Sequence, residues 1–99
     1  MKRAYYSNNI QNFLLDPDSS ILGELTANHS NRTLEKLQVN AWRKQITILK
    51  NQLSEFDGQI YFEFAIPRMG KRVDNIVIIN NVAFIIEFKV GDGGYEKHA

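Results

Sequence analysis

The change of hydrophobic period at Gly58 is the feature that most constrains how this chain can fold. After it come three runs, IYFEFAIP, VDNIVIIN and VAFIIEFKV, whose β-branched and aromatic residues are typical of strands. Asn80 and Asn81 separate the last two runs, and asparagine tolerates the positive φ that a type I′ turn requires. The sequence therefore predicts a three-stranded antiparallel meander in the C-terminal part of the chain.

Before Gly58 the apolar residues recur at steps of three and four, which indicates amphipathic helices. A short helix is predicted from Ser19 to Asn28, with Asp16 or Asp18 as its cap. A longer helix is predicted from Thr33, with an apolar stripe formed by Leu34, Leu37, Ala41, Trp42, Ile46, Leu49 and Leu53. The expected fold is α/β in the α+β arrangement, with N-terminal helices packed on one face of the meander.

Length and composition narrow the class of protein. A chain of 99 residues forms one domain, residues 1–99, and an apolar fraction of 43% is ordinary for a globular protein. The absence of cysteine excludes disulfides and thiolate metal sites and agrees with a cytoplasmic location. No apolar run reaches the length needed to span a membrane. The net charge is only +1, but residues 32–50 hold five basic side chains against one acidic one: Arg32, Lys36, Arg43, Lys44 and Lys50, with Glu35.

The register of the predicted hairpin brings two carboxylates together. With a two-residue turn at Asn80 and Asn81, Asp74 lies directly opposite Glu87, and Lys89 points to the same face. Like charges opposed on a sheet are destabilising, so a positive group is expected between them. One interpretation is a divalent cation, Mg²⁺ or Mn²⁺, with Lys89 completing a hydrolytic site. The other is that Lys89 bridges the two acids as a structural ion pair.

Other polar residues lie close to this hairpin or could reach it. A four-residue turn at Arg68 to Lys71 would place Ala65 opposite Asp74 and bring Glu63 to the acidic face as a third ligand; an exposed edge residue is the alternative. The basic residues before Asp74 could position phosphate groups or simply be solvated; they are Arg68, Lys71 and Arg72. Trp42 is expected in the core rather than as a base-stacking platform, and His29 and His98 are expected in solvated loops.

Asp74, twelve intervening residues and then Glu87-Phe88-Lys89 resemble the signature of the PD-(D/E)XK nuclease superfamily. The longer stretch EFAIPRMGKRVDNIVIINNVAFIIEFKVG resembles an N-terminal nuclease-like domain of bacterial proteins in which a Schlafen-type P-loop helicase-like ATPase follows. The resemblance covers roughly residues 4–99. The superfamily has proline just before its aspartate, where this chain has Val73.

The resemblance implies a partial restriction-endonuclease-like core and Mg²⁺-dependent cleavage of DNA or RNA. Asp74 and Glu87 would be the metal ligands, Lys89 the catalytic lysine, and Glu24 a loose match to a helix-borne glutamate of the superfamily. A second helix and a fourth core strand would follow Lys89, so we expect an N-terminal fragment whose free sheet edge invites self-association. The alternatives are a catalytically inactive nucleic-acid-binding or assembly module of a helicase-like ATPase, and a purely structural interaction domain.

Overall fold

The computed structural model describes residues 3–29 and 36–89, and these form three helices and one antiparallel sheet of four strands. The elements in chain order are β1 (Tyr6–Asn9), α1 (Ile10–Leu15), α2 (Asp18–Asn28), α3 (Lys36–Gln52), β2 (Gln59–Ile66), β3 (Lys71–Ile79) and β4 (Val82–Ile86). The predicted α+β class is confirmed. The predicted number of strands is wrong, because β1 pairs with the outer side of β2 and makes the sheet order β1-β2-β3-β4.

The N-terminal strand and α1 follow one another without a loop. Asn9 ends β1 and caps α1, since its side chain accepts a hydrogen bond of 2.8 Å from the Asn12 amide. The Ile10 amide donates to the carbonyl of Gly58, which ties the start of α1 to the start of β2. Four residues of mixed polarity give too weak a period to identify β1 from sequence.

Helix α2 begins close to the predicted position but with a different cap. Pro17 is the N-cap residue and makes no side-chain hydrogen bond there, while Asp18 lies in the first turn. Asp16, the other predicted cap, instead accepts a 2.7 Å hydrogen bond from the Tyr6 hydroxyl through Oδ2. The prediction of an aspartate cap is therefore wrong, although an acidic residue in the first turn still favours the helix electrostatically.

Helix α3 packs along much of the predicted apolar stripe. Trp42, Ile46 and Leu49 are buried in the core, which confirms the core interpretation of Trp42. Leu37 is wrong as a stripe residue, because 73% of it is exposed in the first turn of the helix. Leu34 lies outside the described residues.

The register of the β3–β4 hairpin is the predicted one. Ile79 pairs with Val82 and Asn75 with Ile86, across a turn in which Asn80 and Asn81 have φ of 52° and 66°. Those angles are the left-handed values that a type I′ turn needs.

The β2–β3 connection is one place where the predicted register is wrong. Ile66 pairs with Lys71, so the four-residue loop is Pro67–Gly70, and Ala65 pairs with Arg72 rather than with Asp74. The shift is two residues, so Glu63, and not Ala65, falls opposite Asp74.

All three helices cover the same face of the sheet. Alternate residues of the central strands are buried there together with the buried residues of the helices, and this face carries Ile60, Phe62, Val73, Asn75 and Val77. The opposite face carries Tyr61, Asp74, Ile76, Ile78 and Ile85, none of which is fully buried. No described helix is long and apolar enough to cross a membrane.

Candidate functional site

The ladder between β2 and β3 has a gap where the candidate site lies. Phe62 pairs with Asn75 and Phe64 with Val73, but Glu63 and Asp74, which the same register places opposite one another, do not pair. Glu63 has φ of 55°, a left-handed conformation that is uncommon for a residue with a long side chain. The ladder between the two central strands is therefore interrupted at this pair.

The amide of Asp74 receives a different acceptor as a result. Because the hairpin turn directs the amides of alternate β3 residues toward β2, the Asp74 amide would bond to Glu63 in a regular ladder. Instead it donates to Oε2 of Glu87 across the sheet, at 3.2 Å. In return, Oδ2 of Asp74 accepts a 2.7 Å hydrogen bond from the Phe88 amide. The two predicted acidic residues are thus joined through backbone amides, as close neighbours on adjacent chain segments.

The carboxyl groups in this region are electrostatically frustrated. Partial burial raises the pKa of Asp74, the hydrogen bond from the Phe88 amide opposes that rise, and the neighbouring Glu87 charge adds to it. Burial also raises the pKa of Glu63, with an opposing hydrogen bond from Trp42 and a further rise from the Asp74 charge. The charge of Glu87 thus raises the pKa of Asp74, and the charge of Asp74 raises the pKa of Glu63. A proton or a cation would therefore stabilise this region.

Trp42 is the link between the helices and the acidic region that the sequence pattern did not reveal. Its ring is fully buried, and its Nε1 donates a 3.1 Å hydrogen bond to Oε2 of Glu63. A stripe of apolar positions predicts that an indole is buried but gives no information about which acceptor its N–H reaches.

His29 departs from its predicted place in a solvated loop. It is half-buried, with its ring edge-on to Tyr5 and to Trp42 at centroid distances of 5.9 and 5.7 Å. Its charge lowers the pKa of Glu63, as a smaller effect than burial. His98 lies outside the described residues.

Lys89 is exposed and does not bridge the acidic pair. Within residues 3–29 and 36–89, the ion pair at 2.7 Å joins Lys50 to Asp18, and none joins Lys89 to Asp74 or Glu87. The structural ion-pair interpretation of these three residues is therefore wrong. In the same part of the chain, no three histidine or acidic side chains converge as a ready metal-binding group.

Glu24 has neighbours other than Asp74 and Glu87. It is exposed on α2 and lines a shallow pocket with Arg3, Tyr6 and Tyr61. Burial raises the pKa of Tyr6, and the charge of Glu24 contributes a smaller part of that rise. The contacts of Glu24 thus lie at the β1 edge of the sheet.

The three basic residues before Asp74 have different environments. Arg68 and Lys71 are exposed at the β2–β3 turn, where Arg68 has φ of 71°. Arg72 is engaged by the fold, because its Nη1 donates to the carbonyls of Glu63 and Arg3 and its guanidinium lies 4.3 Å from the centre of the Tyr5 ring. Arg68 and Lys71 are therefore the two whose charge is freely presented to solvent.

The basic residues of α3 divide in the same way. Arg43 and Lys44 are exposed and line a shallow surface depression. Lys50 donates to the carbonyl of Asp16 and pairs with Asp18, so it joins α3 to the start of α2.

In comparisons with models of protein families, with curated proteins and with solved structures, this chain matches none.

Proposed function

We propose that this domain is a metal-dependent nuclease that hydrolyses phosphodiester bonds in DNA or RNA, with Asp74 and Glu87 as metal ligands and Lys89 as the catalytic lysine. One observation carries the proposal: the hairpin register places Asp74 and Glu87 side by side at a gap in the sheet. The resemblance of the surrounding sequence to PD-(D/E)XK nucleases gives the reaction class.

The donor set fits Mg²⁺ or Mn²⁺. One oxygen of each carboxylate accepts a backbone amide, and that contact fixes the carboxylate in place. Within the described residues, Oδ1 of Asp74 and Oε1 of Glu87 accept no hydrogen bond and are available to a cation. Mg²⁺ takes one or two protein carboxylates and completes its octahedron with water and phosphate oxygens, so a site of two carboxylates suffices. Glu63 is the candidate for a third ligand.

A bound cation would polarise the scissile phosphate and lower the pKa of an attacking water. The protein's own residues supply the rest. Lys89 follows Glu87 by two residues and is exposed, and its ammonium would hold a phosphate oxygen or donate a proton. Arg68 and Lys71, at the β2–β3 turn, would contribute positive charge for the nucleic-acid backbone. The same resemblance supports a cytoplasmic location and a P-loop ATPase domain as partner.

The competing function is a catalytically inactive nucleic-acid-binding or assembly module of a helicase-like ATPase. It is favoured by the lack of a three-ligand group in the described part of the chain, and it needs only the exposed basic side chains. The two functions differ in chemistry but share the basic surface, so cleavage and binding have to be measured separately.

The test follows labelled single- and double-stranded DNA and RNA with Mg²⁺ and with Mn²⁺. Glu87→Gln and Lys89→Met are expected to lower the cleavage rate by about 10²-fold or more with little change in binding. Glu55→Gln, which removes an exposed carboxylate far from β4 in sequence, is the matched control and should keep full activity. Binding without cleavage would support the inactive module, and loss of both in the unmodified protein would leave only a structural role.

A further inference from the structure

The outer edge of β4 is an unpaired sheet edge in the described part of the chain. The sheet order makes β4 an edge strand, and no described element pairs with its outer side. Its residues, VAFII, carry no charge and no proline. Natural edge strands usually avoid this pattern, because an unpaired row of amides and carbonyls recruits another strand.

The opposite edge of the sheet, formed by β1, is protected against pairing with another strand. Strand β1 is four residues long, contains Ser7, Asn8 and Asn9, and leads directly into α1. Its outward side is short, polar and followed at once by a helix. The contrast places the exposed apolar strand on one edge alone.

The side chains of β4 are apolar on both faces and incompletely covered. Val82 and Phe84 share the helix face with buried Val77 but remain 52% and 49% exposed, and Ile85 on the other face is 62% exposed. The helices therefore do not extend over this strand. A partner that completed the sheet would cover these side chains as well as the backbone.

We propose that β4 pairs antiparallel with β4 of a second copy of this chain, with the two-fold axis at Phe84, so that two four-stranded sheets become one of eight strands. An antiparallel pair of identical strands is self-complementary about a two-fold axis. Centring it on Phe84 uses all five residues of β4, with Val82 opposite Ile86 of the second copy and Ala83 opposite Ile85.

The hydrogen-bond pattern of the hairpin is compatible with that register. The two-residue turn makes Ile79 and Val82 a hydrogen-bonded pair, so the amides of Val82, Phe84 and Ile86 point toward β3. The amides and carbonyls of Ala83 and Ile85 then point outward, and these two residues face one another across the proposed interface. Two hydrogen-bonded pairs form, and the two Phe84 rings meet at the close, non-hydrogen-bonded position.

Charge does not oppose the association. The same register brings Glu87, just beyond β4, opposite Asn81 of the second copy, so like charges do not meet. A five-residue strand pair with a few flanking side chains is smaller than a standard protein interface, so the dimer should be weak and dependent on concentration. The inference concerns β4 alone and is independent of whether Asp74 and Glu87 bind metal.

The absence of cysteine permits a direct test by single-cysteine cross-linking. Phe84→Cys places two thiols at the two-fold axis, where Cα atoms of a non-hydrogen-bonded pair are about 4.5 Å apart and within the range of a disulfide. Val82→Cys places its two thiols about 14 Å apart along the antiparallel pair, which is beyond that range. Under mild oxidation, Phe84→Cys should form a covalent dimer and Val82→Cys should not. A mixture of Val82→Cys with Ile86→Cys should give the heterodimer.

Sedimentation of the unmodified chain at increasing concentration gives a second measurement. We expect a reversible dimer that Phe84→Lys abolishes, because the two lysines would meet at the close, non-hydrogen-bonded position on the two-fold axis. Leu15→Lys is the control: Leu15 is 82% exposed on α1, away from β4, and its replacement should leave the dimer intact. A chain that stays monomeric at its highest soluble concentration, or equal cross-linking of the two cysteine variants, would overturn the proposal.

Discussion

Removing the charge of Asp74 is the most informative change at the acidic pair, because the structure gives its sign in advance. Like charges directly opposed on a sheet cost about 0.2–1 kcal/mol. Asp74→Asn removes one of them while keeping an oxygen that can accept the Phe88 amide. We therefore expect Asp74→Asn to stabilise the metal-free protein by about 0.5 kcal/mol, or about 2–4 °C in Tm for a domain of this size.

Metal should make the unmodified protein more stable than Asp74→Asn. A ligand that binds only the folded state at ten times its Kd stabilises the protein by about 1.4 kcal/mol, which corresponds to about 6–11 °C. The unmodified protein should show that increase with Mg²⁺ or Mn²⁺, and Asp74→Asn should lose it. Thermal unfolding followed by circular dichroism, in chelator and in excess metal, measures both effects in one experiment.

The pH dependence follows from the direction of the pKa shift. Burial raises the pKa of Asp74 in the folded state above its ordinary value of 3.8, so the folded protein binds more protons than the unfolded one between those two values. The charged carboxylate therefore destabilises the fold at neutral pH, and this cost disappears as pH falls below the ordinary value. The advantage of Asp74→Asn should be largest near pH 7 and vanish in acid.

Asp57→Asn is the matched control, since it removes an exposed carboxylate from the loop before β2. It should change neither Tm nor the response to metal. If Asp74→Asn instead destabilises the metal-free protein by more than about 1 kcal/mol, the carboxylate has a structural role and the argument from repulsion fails.

Two further predictions concern the turns on either side of β2. Gly58→Ala should lower the free energy of chemical unfolding by about 2–4 kcal/mol, because a Cβ there would overlap a backbone carbonyl of β3 and φ is 152°. Gly23→Ala, which has open space around it in α2, should raise that free energy by about 0.5–1 kcal/mol. Replacing Arg68 and Lys71 by glutamine should leave Tm unchanged and reduce the salt dependence of nucleic-acid binding by about 0.7–0.9 slope units per lost phosphate contact. Arg72→Gln should instead lower Tm, because its guanidinium is engaged by the fold. Equal effects of all three substitutions on binding alone would contradict the division between exposed and engaged basic residues.

The parts of the fold that follow from local rules were predictable from the sequence. The turn at Asn80 and Asn81 fixes the β3–β4 register, because few residues adopt left-handed φ and two adjacent asparagines that do so form a two-residue type I′ turn. The hairpin register places Asp74 opposite Glu87, so it was also predictable that these two residues are neighbours. Trp42 was predictable as a core residue because its place is set by another local rule, the helical period.

Features that depend on contacts distant in sequence were not predictable. Strand β1 forms because β2 offers it an edge, and its own four residues carry little pattern. His29 is half-buried because Tyr5 and Trp42, from two other elements, meet around it. The β2–β3 register was missed by two residues because the four-residue loop contains a left-handed non-glycine residue, Arg68, that the sequence does not signal.

The gap between Glu63 and Asp74 depends both on local sequence rules and on contacts between residues distant in sequence. Flanking pairs on both sides keep β2 and β3 in register, so the gap is one interrupted pair of the ladder rather than a bulge with an extra residue. The left-handed Glu63 is held from both ends: Trp42 donates to its carboxylate and Arg72 donates to its carbonyl. Because these donors come from α3 and from β3, the conformation of Glu63 depends on the packed domain. Because of the same gap, the Asp74 amide donates to Glu87 instead of Glu63. The geometry of the acidic pair therefore depends on the core around Trp42 as well as on the hairpin that the sequence predicts.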